Sequence, residues 1–100
     1  MSKKATIKRE DNHLSVTGEL NYQTVVSLWK ESLFLFTKNT AEFYFDLSKV
    51  SSANSAGLAL LLEWIKFAKR QKKTIQFHNI PDQLLSIAAV SGVEKILKNT

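Results

Sequence analysis

Apolar and polar residues alternate in two short N-terminal stretches, Thr6-Ile7-Lys8-Arg9 and Leu14-Ser15-Val16-Thr17, which predicts two strands. Asp11-Asn12 between them suits a hairpin turn, and Gly18 is expected to close the second strand. From Tyr22 the period changes. Tyr22, Val25, Val26, Trp29, Leu33 and Phe36 recur at helical spacing, with Gln23, Ser27, Lys30 and Glu31 elsewhere, which predicts a helix with one apolar face. Glu42–Leu47 is apolar at nearly every position, as a strand in the middle of a sheet would be. Ser55–Lys72 is the strongest helical pattern, and Thr74–His78 reads as a further strand. Asn79-Ile80-Pro81 stops that strand, and Pro81 suits the first turn of a helix over about Asp82–Val90. Ser91-Gly92 ends it, and Val93–Lys98 forms a last short helix. The order β-β-α-β-α-β-α-α requires parallel pairing of the later strands, with helices against the sheet. The expected fold class is α/β, a mixed sheet of about four strands with about four helices.

The segment Phe43 to Leu62, FYFDLSKVSSANSAGLALLL, concentrates the functional signals. An aromatic strand leads through a serine-rich turn, Ser51–Gly57, into the leucine-rich helix. Ligands and partners of α/β sheets dock beyond the carboxyl ends of strands, where a helix N-terminus offers free N–H groups and a positive dipole end. Ser55 is placed as the N-cap of that helix. Beside the cap role stands a functional one, because Ala56, Gly57 and Ala59 are small enough to let another backbone approach. Gly57 in a first turn costs up to about 1 kcal/mol against Ala, so it serves either that approach or close packing of helix on sheet. Leu58, Leu61, Leu62, Ile65 and Ala68 form the sheet-facing stripe. Leu60, Trp64 and Phe67 widen the apolar arc beyond the ~100° that a core-facing helix needs. A neighbouring helix can absorb Trp64, whereas Leu60 and Phe67 suggest an apolar contact surface beside Ser55.

One hundred residues make one domain, residues 1–100, and 44% hydrophobic residues with ten aromatics supply a small but true core. Without cysteine there is no disulfide framework, thiolate metal site or cysteine nucleophile, and a reducing cytoplasm is the natural setting. The polar N-terminus is no signal peptide, and no apolar run reaches the roughly 20 residues of a spanning helix. The expected chain is soluble and meets a membrane only indirectly. A net charge of +5 raises nucleic-acid binding, but the basic residues gather at the N-terminus and in Lys66, Lys69, Arg70, Lys72 and Lys73. The second group closes a helix, where cations complement the dipole, and no aromatics interleave as a base-stacking platform. No nucleic-acid partner is expected.

Serine chemistry would need a base, yet His13 lies at the predicted hairpin and His78 at a strand end, with no paired carboxylate. Asp46 at a strand terminus suits a turn, bonding the amide of Ser48 or Lys49, better than a phospho-acceptor role. No phosphate loop or metal-ligand spacing occurs, so neither an enzyme nor a cofactor is expected.

FDLSKVSSANSAGLALLL resembles the signature of STAS domains (sulphate transporter and anti-sigma factor antagonist), in which a strand ending Asp-Leu-Ser leads to an Asp-Ser/Thr-small-Gly-Leu turn at a helix start. GELNYQTVVSLW is similar to the Gly-Glu-Leu segment before the family's first long helix, and the element order fits the same fold. The resemblance implies one of two functions. Anti-sigma factor antagonists carry at the Ser55 position a serine that a partner kinase phosphorylates to switch binding. The small cytoplasmic STAS subunits of the Mla phospholipid ABC transporter of Gram-negative bacteria place a Ser or Thr of this turn against the ATPase subunit. The run Gly57-Leu58-Ala59-Leu60-Leu61-Leu62 and Trp29 after Gly-Glu-Leu look more like the second branch. Asn54 stands where the family usually has Asp, which weakens a phospho-switch built around that acid. The resemblance thus implies a regulatory subunit for phospholipid transport between inner and outer membranes. It would contact the ATPase through Asn54, Ser55, Ala56, Gly57, Ala59, Leu60 and Phe67, and lie peripherally at the inner membrane through that partner.

Overall fold

The computed structural model describes residues 4–98. The elements follow the expected order: β1 (Thr6–Glu10), β2 (His13–Leu20), α1 (Val25–Leu33), β3 (Glu42–Ala53), α2 (Ser55–Arg70), β4 (Thr74–His78), α3 (Asp82–Val90) and α4 (Glu94–Lys98). The sheet order is β1-β2-β3-β4. β1 and β2 pair antiparallel around Asp11-Asn12, with Asp11 in the left-handed region at φ 56°, which Asp tolerates. β2–β3 and β3–β4 pair parallel, as crossovers through helices require.

Two strands run further than their composition suggests. β2 continues past Gly18 to Leu20 and holds the segment Ser48–Ala53 as an extension of β3, so the serine-rich stretch is a strand and the turn shrinks to Asn54. The backbone N–H of Asn54 still donates to Leu20 O, at 3.1 Å. Gly18 therefore does not end β2. It sits where the ladder shifts register, at φ +107°, and a Cβ there would lie 2.5 Å from Lys4 O. Only glycine accepts both the conformation and the approach.

The inward sheet positions Ile7, Leu14, Val16, Phe43, Phe45, Leu47, Ile75 and Phe77 share one core with Leu28 of α1, Leu61 and Trp64 of α2, Leu84 of α3 and Leu97 of α4. The helices thus cover one sheet face, and the alternation along β1, β2 and β4 leaves the other face polar. α2 lies between α1 and α3, which explains why its buried arc includes Leu60 and Trp64 as well as the sheet-facing stripe. Gly57 belongs to this packing. A Cβ on it would stand 2.9 Å from Leu20 Cβ and 3.3 Å from Ala53 Cβ, so it sets how closely α2 starts against the sheet.

The apolar face expected from Tyr22 to Phe36 divides in two. Val25, Trp29 and Phe36 pack against the core beside the buried Leu28 and Ser32, while Tyr22, Val26 and Leu33 are exposed. The cause is Trp64, wholly buried, whose indole Nε1–H donates to Ser32 Oγ at 2.8 Å. Ser32 Oγ donates onward to Trp29 O at 2.7 Å. A buried indole N–H needs an acceptor, so a polar residue occupies a core position and turns the helix with it.

Replacing Ser32 with Ala would strand that N–H in an apolar core, at a cost of about 1–3 kcal/mol. Urea unfolding of Ser32→Ala is expected to show a lower midpoint at unchanged slope; an unchanged midpoint would contradict the assigned role of the bond.

Candidate functional site

Directly after β2, Asn21 to Thr24 form a tight turn. Asn21 Oδ1 accepts from the backbone N–H groups of Gln23 at 2.9 Å and Thr24 at 3.2 Å. The Thr24 hydroxyl donates to Glu19 O at 2.7 Å and accepts from Asn21 N–H at 3.0 Å. These bonds fix the start of α1 and leave Tyr22 turned outward, 72% exposed. Facing it is the start of α2, where Asn54 Oδ1 accepts from Ala56 N–H at 2.8 Å. Asn54, in an extended conformation, is therefore the N-cap, and Ser55 is the first helical residue. The expected cap role of Ser55 is corrected: both residue types cap well, and here the extended backbone falls at Asn54. Freed from capping, the exposed Ser55 has its Oγ 3.1 Å from the Tyr22 hydroxyl.

Between the helices lies an open apolar groove of about 290 Å³. α1 and the turn before it contribute Tyr22, Val25, Val26 and Trp29; α2 contributes Ala56, Ala59, Leu60 and Glu63. Trp29 and Phe36 pack edge-on against Phe67, with ring centroids 5.7 and 5.2 Å away. The expected surface residues separate accordingly. Asn54, Ser55 and Ala59 are exposed. Ala56 and Leu60 are each only 4% exposed and form the groove floor. Phe67 is half-buried in its aromatic cluster, and Gly57 is buried against the sheet. The apolar flank expected from Leu60 and Phe67 is thus filled by α1, and the open apolar surface is made by Tyr22 and Val26 instead, 72% and 57% exposed. The Tyr22-Val26-Leu33 stripe was visible in the sequence, but its direction depended on Ser32.

The titratable candidates lie elsewhere. His13 stacks on Tyr44 and His78 lies tilted against its other side, with centroids 5.1 and 5.5 Å away, at strand ends on the polar sheet face opposite α2. Asp46 Oδ1 accepts from Ser48 N–H at 3.0 Å, as expected, and from Asn79 Nδ2 at 3.1 Å. These bonds, the Ser48 amide first, hold its carboxyl below the ordinary value of 3.8. Among the described residues, no group of three or more His, Cys, Asp or Glu side chains could hold a metal ion, and no helix is long and apolar enough to cross a membrane.

Because the folded Asp46 titrates below its unfolded value, its stabilising contribution is present above pH 3.8 and is lost as pH falls through the folded value. Asp46→Asn keeps an acceptor oxygen but removes that titration. Urea midpoints measured between about pH 6 and about pH 2 are expected to fall further for the wild type than for the variant; parallel curves would contradict the assignment.

A family model described as "Mlab, STAS domain" matches residues 4–98. The chain is 30% identical over 88 residues to the intermembrane phospholipid transport system binding protein MlaB of Escherichia coli K12, covering 88% of each chain. The protein of the same name from Haemophilus influenzae is 26% identical over 89 residues, covering 86% of this chain and 85% of that one. Among solved structures, the anti-sigma factor antagonist SpoIIAA in its unphosphorylated form matches with a TM-score of 0.69 at 16% identity, over 91% of this chain and 83% of that one. An anti-sigma factor antagonist from Mycobacterium paratuberculosis matches with a TM-score of 0.69 at 18% identity, over 92% and 80%. These two likenesses concern the fold.

Proposed function

Because the chain belongs to the STAS domain family, in the branch described as Mlab, we propose that it is a non-enzymatic accessory subunit of an ABC transporter that moves phospholipid between the inner and outer membranes of a Gram-negative bacterium. In this reading it is cytoplasmic, carries no cofactor and stays at the inner membrane through the ATPase subunit. The relatives named MlaB, similar along most of their length, support the transport role.

One observation carries the docking reading: the apolar groove beside Ser55, with Tyr22 and Val26 facing water. Contiguous apolar surface of this kind is worth about 25 cal/mol per Å² when a partner covers it. The groove also joins an apolar floor to a polar end at Ser55, the arrangement of an interface core beside its hydrogen-bonding groups. An antagonist switched by phosphorylation of Ser55 is the alternative, and the exposed hydroxyl is the observation that favours it. The two readings differ in what a charge at Ser55 does. A phosphate adds about −1.5 to −2 charge, tolerated at a helix N-terminus in water but ruinous in a desolvated contact.

Ser55→Thr and Ser55→Asp separate them. Asn54 caps the helix in both variants, so both are expected to melt like the wild type. Ser55→Thr keeps the hydroxyl and should bind the purified ATPase subunit within a few-fold of wild type. Ser55→Asp brings an unpaired carboxylate into the contact, where desolvation costs several kcal/mol, so binding should fall by orders of magnitude. Undiminished binding of Ser55→Asp would place the interface elsewhere. Val26→Glu tests the groove itself. At an exposed position it should change stability by no more than about 0.5 kcal/mol while abolishing pull-down of the ATPase; retained pull-down would contradict docking in the groove.

A further inference from the structure

The Ser55 hydroxyl does not stand alone at the polar end of the groove. Tyr22 Oη lies 3.1 Å from Ser55 Oγ, linking the leading turn of α1 to the first residue of α2. Either atom can be the donor in this geometry, and the choice decides which hydrogen stays free. When the Tyr22 O–H donates to Ser55 Oγ, the Ser55 O–H remains for an outside acceptor. Building on the reading of the groove as the ATPase contact, we propose that Tyr22 is a positioning residue. Its hydroxyl donates to Ser55 Oγ and fixes that side chain, so that the Ser55 O–H is a preorganised donor for a carbonyl or carboxylate oxygen of the ATPase subunit.

Three observations converge on this role. An exposed serine at a helix start has three staggered χ1 wells open to it, and the Tyr22 bond selects one before a partner arrives. Tyr22 is itself held, because the Asn21 side chain closes the turn that carries it. The Tyr22 ring lines the groove while its hydroxyl meets Ser55, so one side chain spans the apolar and polar parts of the surface. The pair also explains how Ser55, relieved of capping by Asn54, retains a defined direction.

The test is a double-mutant cycle with the purified ATPase subunit, measuring affinities for the wild type, Tyr22→Phe, Ser55→Ala and the double variant, with a thermal melt of each. Tyr22→Phe keeps the ring and removes only the hydroxyl. It is expected to bind about three- to tenfold more weakly, the worth of one hydrogen bond, with an unchanged melt. Ser55→Ala should lose at least as much, and the double variant should bind no more weakly than Ser55→Ala, because Tyr22 acts through Ser55. Wild-type affinity for Tyr22→Phe, or losses that multiply in the double variant, would overturn the positioning role. A melting temperature of Tyr22→Phe lowered enough to explain its weaker binding would also overturn it. Failure of the wild type to bind the ATPase would overturn the subunit reading and this inference with it, a result told apart by the first titration.

Discussion

A fully buried tryptophan must place its indole N–H against an acceptor, and in this domain Trp64 of α2 finds that acceptor on α1. The bond to Ser32 Oγ, continued to Trp29 O, crosses an otherwise apolar core. It determines which side of α1 faces inward. Once Leu28 and Ser32 are turned to the core, Tyr22, Val26 and Leu33 have to face outward. The apolar groove follows from that orientation, and its exposed side chains are the remainder of a helix whose inner face is already committed. The surface most suited to a partner is therefore created by a buried hydrogen bond on its far side.

The other wall of the groove is held as firmly. Asn54 caps α2, Gly57 lets the first turn approach Leu20 and Ala53, and Gln83 Oε1 of α3 accepts from Ala53 N–H at 2.9 Å. A surface fixed in this way loses little conformational freedom on binding, which favours a lasting contact between subunits. Part of the basic charge is likewise committed to structure. Lys73 Nζ donates to Thr37 O and Thr40 O, both at 2.7 Å, and Arg9 Nη1 donates to Leu35 O at 2.7 Å, so these two cations clamp the segment between α1 and β3. Each also lies over the Phe43 ring.

The order and type of the elements were legible in the sequence because each has a distinct hydrophobic period. Pro81 and Gly92 mark the borders of α3 in the same way. What escaped was decided by partners distant in sequence. Ser32 counts as polar in any pattern, and only Trp64, thirty-two residues on, makes it a core residue. The serines after Asp46 have weak strand propensity, yet the length of β2 carries them as strand. Asn54 and Ser55 are both good caps, and backbone geometry alone chooses between them. Of the residues expected at the surface of the candidate site, Asn54, Ser55 and Ala59 are exposed. The contribution of Tyr22 and Val26 was not legible, because the pattern gave one apolar face without saying which part of it the core would take.

The central claim is that the α1–α2 groove, and not the open face of the sheet, receives the partner. Hydrogen–deuterium exchange of this chain, alone and with the purified ATPase subunit, tests it most directly. Added protection is predicted in α1 and in the first half of α2, with β1 and β4 unchanged. Protection confined to β1 and β4, with α1 and α2 exchanging as in the free protein, would contradict the account.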